Sequence, residues 1–384
     1  MPRQRLAHVV VAVVGEVRVP LRDLPIAVLN GDIHGSFWDT AGSSLVAWSG
    51  ETAGDRIVRL CDEESVPLRG VGDMSDTAAM GPQRIDTLLN LLDECAKVDM
   101  GILGNDRDAL RLVYLARSGF YNRSVALALD YANGEVAPAF EPTEDDRLIR
   151  NDVAVKRPRG GSYRAVRQGG PLSVDEIGRY DTAPTINVAS DDQLPDQAHW
   201  RLHVGTVDEP RYPVITVRVH ALDAATAADA LEVRVGDRIT ISNLPKWLPP
   251  GDADLLVQGI RERYGDTERV LRFLCVPASP WDAVVVGETK VDTAGSELDS
   301  GISDSATSMD VATTVGEDWT TDSGEFPFDV EVGGEEITIS DIGSAVDGVQ
   351  TFTISERSVN GITKSHDTGT GVRIARKHRA VVWL

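Results

Sequence analysis

The sequence has little cysteine, and the few cysteines are scattered. Cys61, Cys95 and Cys275 are the three in 384 residues, and no Cys-x-x-Cys pair occurs. The spacing of the common zinc and thiol-redox motifs is therefore absent. Because Cys61 and Cys95 fall on apolar stripes of predicted helices, we expect them to be small buried hydrophobes.

Long apolar runs are missing as well. No stretch approaches the roughly 18 apolar residues of a transmembrane helix. Residues 9–14 are too short for the apolar core of a secretory signal, and no cleavage site follows them. We expect neither a signal peptide nor stable membrane insertion.

Positive charge is scarce. The chain has 38 Lys and Arg against 60 Asp and Glu, a net charge of −22, which argues against a general nucleic-acid binder and against docking on anionic membranes. Between residues 283 and 345 there are fifteen acidic residues and one basic residue, Lys290. Such a balance favours partners with basic patches.

The best-organised stretch, residues 50–116, predicts two helices on a small sheet. Thr52 and Asp55 form a capping box at the start of the first helix. The second and stronger helix is predicted to open at Gly81-Pro82 and to end at Gly101. Its apolar stripe comprises Ile85, Leu88, Leu89, Leu92, Cys95 and Ala96. We expect Leu88, Leu89 and Leu92 to be buried.

Two strands follow, at 102–103 and 109–115, joined by a turn at 104–106. With the helices they predict a small α/β domain over residues 49–120. Residues 1–48 read as a partial β segment with too few strands to close a sheet.

The remainder is dominated by β patterns. Residues 121–285 alternate and are punctuated by turns, which predicts a β-barrel or sandwich. Residues 286–310 are Gly-, Ser- and Asp-rich with little apolar content, which predicts an acidic linker. A Ca²⁺ site around Asp299 to Asp304 is the weaker alternative, because no loop there has the required ligand spacing. Residues 311–384, with a Gly333-Gly334 hairpin turn, predict a C-terminal β-module hinged on that linker. The predicted fold class is α+β, mostly β.

One stretch is basic. It contains Arg150, Lys156, Arg157, Arg159, Arg164 and Arg167. A single-stranded nucleic-acid site would need stacking aromatics, and only Tyr163 is nearby. We interpret the stretch as a solvated strand face or a rim that meets an acidic neighbour.

Residues 31–35 (GDIHG) match the Gly-Asp-x-His-Gly signature of metallophosphoesterases, in which Asp and His bind a di-metal centre. Asp73 and Asn105 would supply the next two blocks, but the Arg-Gly and the His that should follow them are absent. A metallophosphoesterase using Asp32, His34, Asp73 and Asn105 is the alternative function. We do not expect the later histidines, His199, His203 and His220, to converge on Asp32.

Several motifs resemble a family of minor tail proteins of actinobacterial phages and prophages. They are GETAGDRI (50–57), MGPQR (80–84), RNDV (150–153), GRY (178–180), DQLPD (192–196), GTV (205–207), WLPP (247–250), PASPW (277–281), WTTD (319–322), FPFD (326–329), QTFT (350–353) and SVNG (358–361). The likeness runs from about residue 37 to residue 384.

The resemblance implies a tail-tip hub or baseplate-like structural protein of the virion. Residues 50–285 would build a trimeric ring, and residues 1–48 would be the end of a concanavalin-like insertion. The implied partners are further copies of the chain and neighbouring distal tail and tape-measure proteins, with host attachment as a further possible role. The resemblance carries over no catalytic, cofactor-binding or metal-binding residue, so the expectation is a protein that acts by assembly and is not an enzyme.

Overall fold

The structure, a computed structural model, describes residues 48–143, 146–245, 247–248, 251–285, 290 and 293–375. These residues form two compact units. The first comprises the described chain up to Asn243 together with Ala253–Trp281, and the second comprises Leu244–Asp252 and the chain from Asp282. The fold is α+β and mostly β, as predicted. The predicted segment 1–48, with Asp32 and His34, lies outside the described residues apart from Trp48.

Helix α1, Ala53–Glu63, is the first predicted helix. The Thr52 hydroxyl accepts a hydrogen bond from the Asp55 amide at 3.1 Å, which caps the helix start as the sequence predicts. Ile57, Leu60 and Cys61 are buried on its inner face.

Helix α2, Leu88–Asp99, is shorter than predicted. Thr87 caps it, and residues 81–87 precede the helix because the Gly81 amide instead donates to the Asn187 carbonyl at 2.8 Å. The predicted stripe is wrong at two positions: Ile85, which precedes the helix, is 49% exposed, and Leu89, expected to be buried, is 41% exposed within the helix. The burial predicted for Leu88 and Leu92 is confirmed.

Three strands pack beside these helices: β1 (Leu68–Val71), β2 (Ile102–Asn105) and β3 (Leu112–Leu115), in the order β1-β3-β2. The antiparallel β2–β3 pair was predicted, but the turn predicted at 104–106 is wrong, because Gly104 and Asn105 still pair with Val113 and Leu112. Strand β1, parallel to β3, was not predicted. Gly101 is required here for space, since a Cβ at this position would lie 2.5 Å from the Leu115 carbonyl oxygen.

A second small sheet completes the same core. It consists of β5 (Asp152–Lys156), β6 (Ser162–Val166) and β7 (Asp181–Thr182), in the order β6-β5-β7. Helix α3 is Val174–Ile177, and helix α4, Leu194–Gly205, lies against β5 and β6. Buried residues of β5, β6 and α4 share one apolar cluster with α1 and α2. The boundary predicted at residue 120 therefore divides residues that pack in one core.

The largest sheet of the first unit has five strands. They are β4 (Val125–Asp130), β8 (Val214–Arg218), β9 (Arg238–Ser242), β10 (Ala253–Tyr264) and β11 (Arg269–Pro277), in the order β4-β9-β10-β11-β8. β4 is parallel to β9, and the other pairs are antiparallel. Helix α5, Ala224–Glu232, lies next to β4. Short 3₁₀ turns in the chain are Arg117–Phe120, Asp146–Leu148, Asp191–Gln193, Val219–Ala221, Ser279–Trp281 and Ser323–Glu325.

The second unit is a six-stranded, nearly closed barrel. Its strands are β12 (Ser296–Leu298), β13 (Ser308–Thr313), β14 (Phe328–Val332), β15 (Glu335–Ile342), β16 (Val349–Glu356) and β17 (Val372–Ile374), in the order β12-β13-β16-β15-β14-β17. The edges meet where the Leu298 amide donates to the Thr370 carbonyl at 2.9 Å. The predicted hairpin turn at Gly333-Gly334 joins β14 to β15, with positive φ at both glycines.

The prediction of a linker over 286–310 is wrong for its second part. Strand β12 and the start of β13 fall within it, and Leu298, Ile302 and Met309 are buried in the barrel core. The prediction rested on the low apolar content of this stretch. A few single apolar residues between solvent-facing acidic residues are nevertheless enough to anchor short strands in the core. The barrel therefore begins before residue 311.

None of the helices in the described ranges combines the length and apolarity that crossing a bilayer requires. All three cysteines are buried, as predicted for Cys61 and Cys95, and burial raises the pKa of each thiol to about 12.

Leu92→Ala is expected to lower the free energy of unfolding by about 2–5 kcal/mol, because the truncation leaves a cavity among fully buried side chains. Leu89→Ala on the same helix is the matched control and should change it by less than about 1 kcal/mol, since Leu89 is partly in solvent. Urea denaturation of both variants measures the difference. Equal stabilities would contradict the packing of α2.

Candidate functional site

Asp73 and Asn105, the described residues of the metallophosphoesterase alternative, lie apart in the structure. Asp73 follows β1 at the end of the sheet where Val71 pairs with Leu115, whereas Asn105 pairs with Leu112 at the other end. These ends are three residue steps of strand apart, roughly 10 Å. The Asp73 carboxylate accepts hydrogen bonds from the Ser75 hydroxyl and amide, which lower its pKa. The two motif blocks do not converge on one centre.

Each of the later histidines makes a hydrogen bond to a different residue. Their contacts are His199 Nε2 with the Tyr163 hydroxyl (3.2 Å), His203 Nε2 with the Pro280 carbonyl (3.1 Å) and His220 Nδ1 with the Arg269 amide (3.4 Å). Within the described ranges, no group of three His, Cys, Asp or Glu side chains could hold a metal ion. The expectation for Asp32 itself lies outside those ranges.

The motif residues instead form sets of polar contacts that hold separate segments of the chain together, and we call each set a clasp. The first clasp joins residues 50–57 to residues 80–84. The Arg56 guanidinium is fully buried, with Nε 3.0 Å from the Glu51 carboxylate. Its Nη2 donates to the carbonyls of Trp48 at 2.7 Å and Gly81 at 2.8 Å. Arg59 adds ion pairs to the same Glu51 carboxylate. One arginine thus ties the chain around Trp48 and Glu51 to Gly81.

A second clasp joins the MGPQR motif to residues 187–193. The Gly81 amide bonds to the Asn187 carbonyl, and the Asn187 side chain donates to the Pro82 carbonyl at 3.0 Å. A Cβ at position 81 would lie 2.3 Å from Asn187 Oδ1, so only glycine fits. Gln193 accepts from the Ala189 amide at 2.9 Å and donates to the Ala79 carbonyl at 3.1 Å.

The RNDV and GRY motifs form a third clasp. The buried Asn151 side chain accepts from the Tyr180 amide at 2.8 Å and donates to the Gly178 carbonyl at 2.7 Å. Asp152 is ion-paired with both Arg164 and Arg179. The hydrogen bond from Arg164 lowers the pKa of Asp152.

In the second unit, too, polar side chains of motif residues bind backbone groups of other segments. The Gln350 side chain accepts from the Trp319 amide at 2.8 Å and donates to the Trp319 carbonyl at 3.0 Å. The Trp319 indole donates to the Ser296 hydroxyl at 2.9 Å. The Asn360 side chain accepts from the Glu336 amide at 3.2 Å. Each bond fixes a loop or a strand end to the barrel.

A buried ion cluster in the barrel was not predicted. The Glu335 carboxylate is fully buried and is bonded by Arg357 (Nε 2.7 Å, Nη2 2.8 Å) and by His366 Nε2 (2.7 Å). Burial alone would raise the pKa of Glu335, but these hydrogen bonds outweigh it and hold the pKa at about 2. The three residues are spread over 32 positions, so no local signal marks them.

An arginine-lined cleft of about 270 Å³ lies in the first unit, beside the second clasp. Its lining consists of Ser49, Pro82, Arg84, Arg157, Pro158, Arg159, Asn187, Val188 and Ala189. Arg157 pairs with Asp191 at 2.6 Å. The guanidinium groups of Arg84 and Arg159 have no partner among the described residues, and both arginines are exposed. Because two of the three guanidinium groups at the cleft have no anionic partner among the described residues, the cleft is a candidate anion site.

In the basic stretch from Arg150 to Arg167, fewer arginines are available to a partner than the sequence suggests. Arg150 donates to the Arg147 and Ile149 carbonyls, Arg164 pairs with Asp152, and Arg167 donates to the Gly169 carbonyl. Arg157 and Arg159 are the arginines of this stretch that line the cleft, and Arg84 joins them from a motif about 70 residues upstream. Sequence reasoning missed Arg84 because only the fold brings the two segments together.

No family model and no curated protein matches the chain. Among solved structures, it is similar to the 43 kDa tail protein of prophage MuSo2 from Shewanella oneidensis, at 15% identity and a TM-score of 0.42, with 61% of this chain and 66% of that chain covered. It is similar to the tail protein from Neisseria meningitidis MC58, at 14% identity and a TM-score of 0.42, with 65% and 79% covered. It is also similar to prophage tail protein gp18 from Listeria monocytogenes EGD-e, at 13% identity and a TM-score of 0.35, with 55% and 60% covered. The chain thus spans less than two thirds of the length of the Shewanella and Listeria proteins.

Proposed function

We propose that the chain is a structural component of a phage or prophage tail, a hub-type minor tail protein at the tail tip that functions by assembly. The observation that carries this proposal is the use of the motif residues. Eight of the twelve motifs through which the sequence resembles minor tail proteins supply residues to these clasps.

The placement of these polar residues supports a scaffold rather than a catalyst. In an enzyme, motif side chains converge on the position of a reacting atom. Here Arg56, Asn151 and Gln350 bind backbone groups of distant segments. Side chains used in this way hold the fold in a fixed shape. A protein that functions by assembly depends on such a shape to fit its partners. The opposite ends occupied by Asp73 and Asn105 argue against the metallophosphoesterase alternative.

The proposed partners follow from the same resemblance. Copies of the chain would assemble as a homotrimer that contacts distal tail and tape-measure proteins, in a virion of an actinobacterial phage or prophage. The strongly acidic chain suits protein partners better than nucleic acid. Host attachment is a further role that a tail-tip position would support.

Gold-labelled antibodies against the purified chain are expected to mark one end of the tail on intact particles of the phage that encodes it. The control is the same serum absorbed with the purified chain, which should leave particles unlabelled. Label along the tail tube or on the head would contradict the tip position, and particles that lack the chain altogether would contradict a virion role.

A further inference from the structure

Two exposed apolar side chains follow closely in the chain after Arg84 of the arginine-lined cleft. Ile85 directly follows Arg84 in the chain and is 49% exposed, and Leu89, four residues later, is 41% exposed. The sequence pattern predicts both in a buried stripe, yet in the single chain they are partly in solvent. We name the set Arg84, Ile85, Leu89, Arg157 and Arg159 the Arg84 surface.

The chemistry of the Arg84 surface favours a protein partner that carries carboxylates. A guanidinium group presents a planar fork of donors that matches a carboxylate. Arginine is enriched at the centres of protein interfaces, and exposed apolar side chains add buried area. At about 270 Å³ the cleft lies just below the usual range of small-molecule sites. It is large enough for one or two side chains of a docked segment.

A complementary segment is present in the second unit of the same chain. Residues 314–318, which we name the acidic loop, contain Val315, 78% exposed, followed by Glu317 and Asp318. Both carboxylates are exposed and have no partner among the described residues.

The backbone of the acidic loop is held in place. The Gly316 amide donates to the Ala294 carbonyl at 2.7 Å, and the Glu317 carbonyl accepts from the Thr293 hydroxyl at 2.7 Å. Trp319 then anchors the loop through Gln350. A loop ordered in this way binds without a large loss of conformational entropy.

We propose that the Arg84 surface of one copy binds the acidic loop of a second copy, with Glu317 and Asp318 meeting Arg84 and Arg159, and Val315 meeting the exposed Ile85 and Leu89. This contact rests on the proposed assembly of several copies and specifies one interface of that assembly. Two exposed carboxylates and one exposed apolar side chain complement two unpaired guanidinium groups and two exposed apolar side chains, so the chain carries both halves of the interface.

The test is sedimentation of the full chain over a range of concentrations in about 0.05 M salt. Arg84→Glu with Arg159→Glu should weaken self-association by roughly tenfold or more, because like charges would face each other. The matched control is Arg261→Glu with Arg272→Glu, two exposed arginines opposite each other on β10 and β11. The control should associate like the parent, and circular dichroism checks that all variants are folded.

Glu317→Arg with Asp318→Arg should weaken association to a similar extent. The chain that carries all four changes should recover most of it, because each junction then has its charges exchanged. Raising the salt to about 0.5 M should weaken the parent, since the Debye length falls from roughly 14 Å to 4 Å.

Failure of the four-change chain to recover, or unchanged association of the Arg84→Glu, Arg159→Glu variant, would overturn the proposal. So would a parent that stays monomeric at all concentrations, or a single-stranded oligonucleotide that binds the parent and not this variant. The antibody labelling of particles does not depend on this interface, so the two proposals can fail separately.

Discussion

Replacing Glu335 by alanine is expected to destabilise the C-terminal barrel by about 3–5 kcal/mol, because it leaves the charge of Arg357 buried without its partner. The Arg357 guanidinium would keep hydrogen bonds only to carbonyls, those of Ser303 and Lys364 among them. His366 would lose its bond at the same time. These residues connect β15 to the loop between β16 and β17, so that end of the barrel should open first.

Hydrogen exchange of the full chain, followed by mass spectrometry of its peptides, measures this effect locally. Strands β15 and β16 should exchange faster in Glu335→Ala, whereas β10 and β11 of the other unit serve as an internal reference and should not change. Glu331→Ala is the matched control, because Glu331 is partly exposed and directly faces Glu336 across β14 and β15. Equal protection in the two variants would show that the ion cluster does not stabilise the barrel.

The same cluster predicts a dependence on pH. The pKa of Glu335 is lowered from 4.5 to about 2 in the folded chain. A carboxylate with a lowered pKa contributes its full stabilisation above the unfolded value, and the contribution is lost as the pH falls towards the folded value. The stability difference between the parent and Glu335→Ala should therefore be larger at pH 6 than at pH 3. A constant difference would contradict the ionised state of Glu335.

Arg56→Ala should lower the free energy of unfolding of the first unit by about 3–5 kcal/mol, because it removes a fully buried charge with three hydrogen-bonded partners. The carbonyls of Trp48 and Gly81 would lose their donor. Arg56→Lys should restore only a small part, because an ammonium group cannot reproduce the planar fork.

Urea denaturation compares these variants with Asp62→Asn, an exposed position on the same helix that should behave like the parent. Exchange should also increase at the Gly81 amide and in α1. If Arg56→Lys proved as stable as the parent, the contact would be a general charge effect rather than a directional clasp.

Elements governed by local signals could be predicted from the sequence. The Thr52 cap, the β2–β3 pair and the Gly333-Gly334 hairpin depend on neighbouring residues, and the structure has all three. The start of α2 could not be predicted, because residues 81–87 have a helical pattern but Gly81 pairs with Asn187, over 100 positions away. The sheet β6-β5-β7 and its share of the helical core depend on contacts of the same range.

The candidate site could likewise be predicted only in part from the sequence. Arg157 and Arg159 were noted in a basic stretch, but ion pairs at Asp152 and backbone hydrogen bonds engage their neighbours, and no sequence pattern reveals this. Arg84 joins them only through the pairing of Gly81 with Asn187. The acidic stretch was also recognised, whereas its folding into β12 and β13 was hidden by its low apolar content.

The most direct test of the central claim is an averaged electron-microscopy image of antibody-labelled tails, taken from particles of the phage that encodes the chain. The proposal predicts label confined to the tail tip, on density that accommodates three copies of the chain around the tail axis. Label elsewhere on the particle, or a tip from which the chain is absent, would contradict a tail-tip hub.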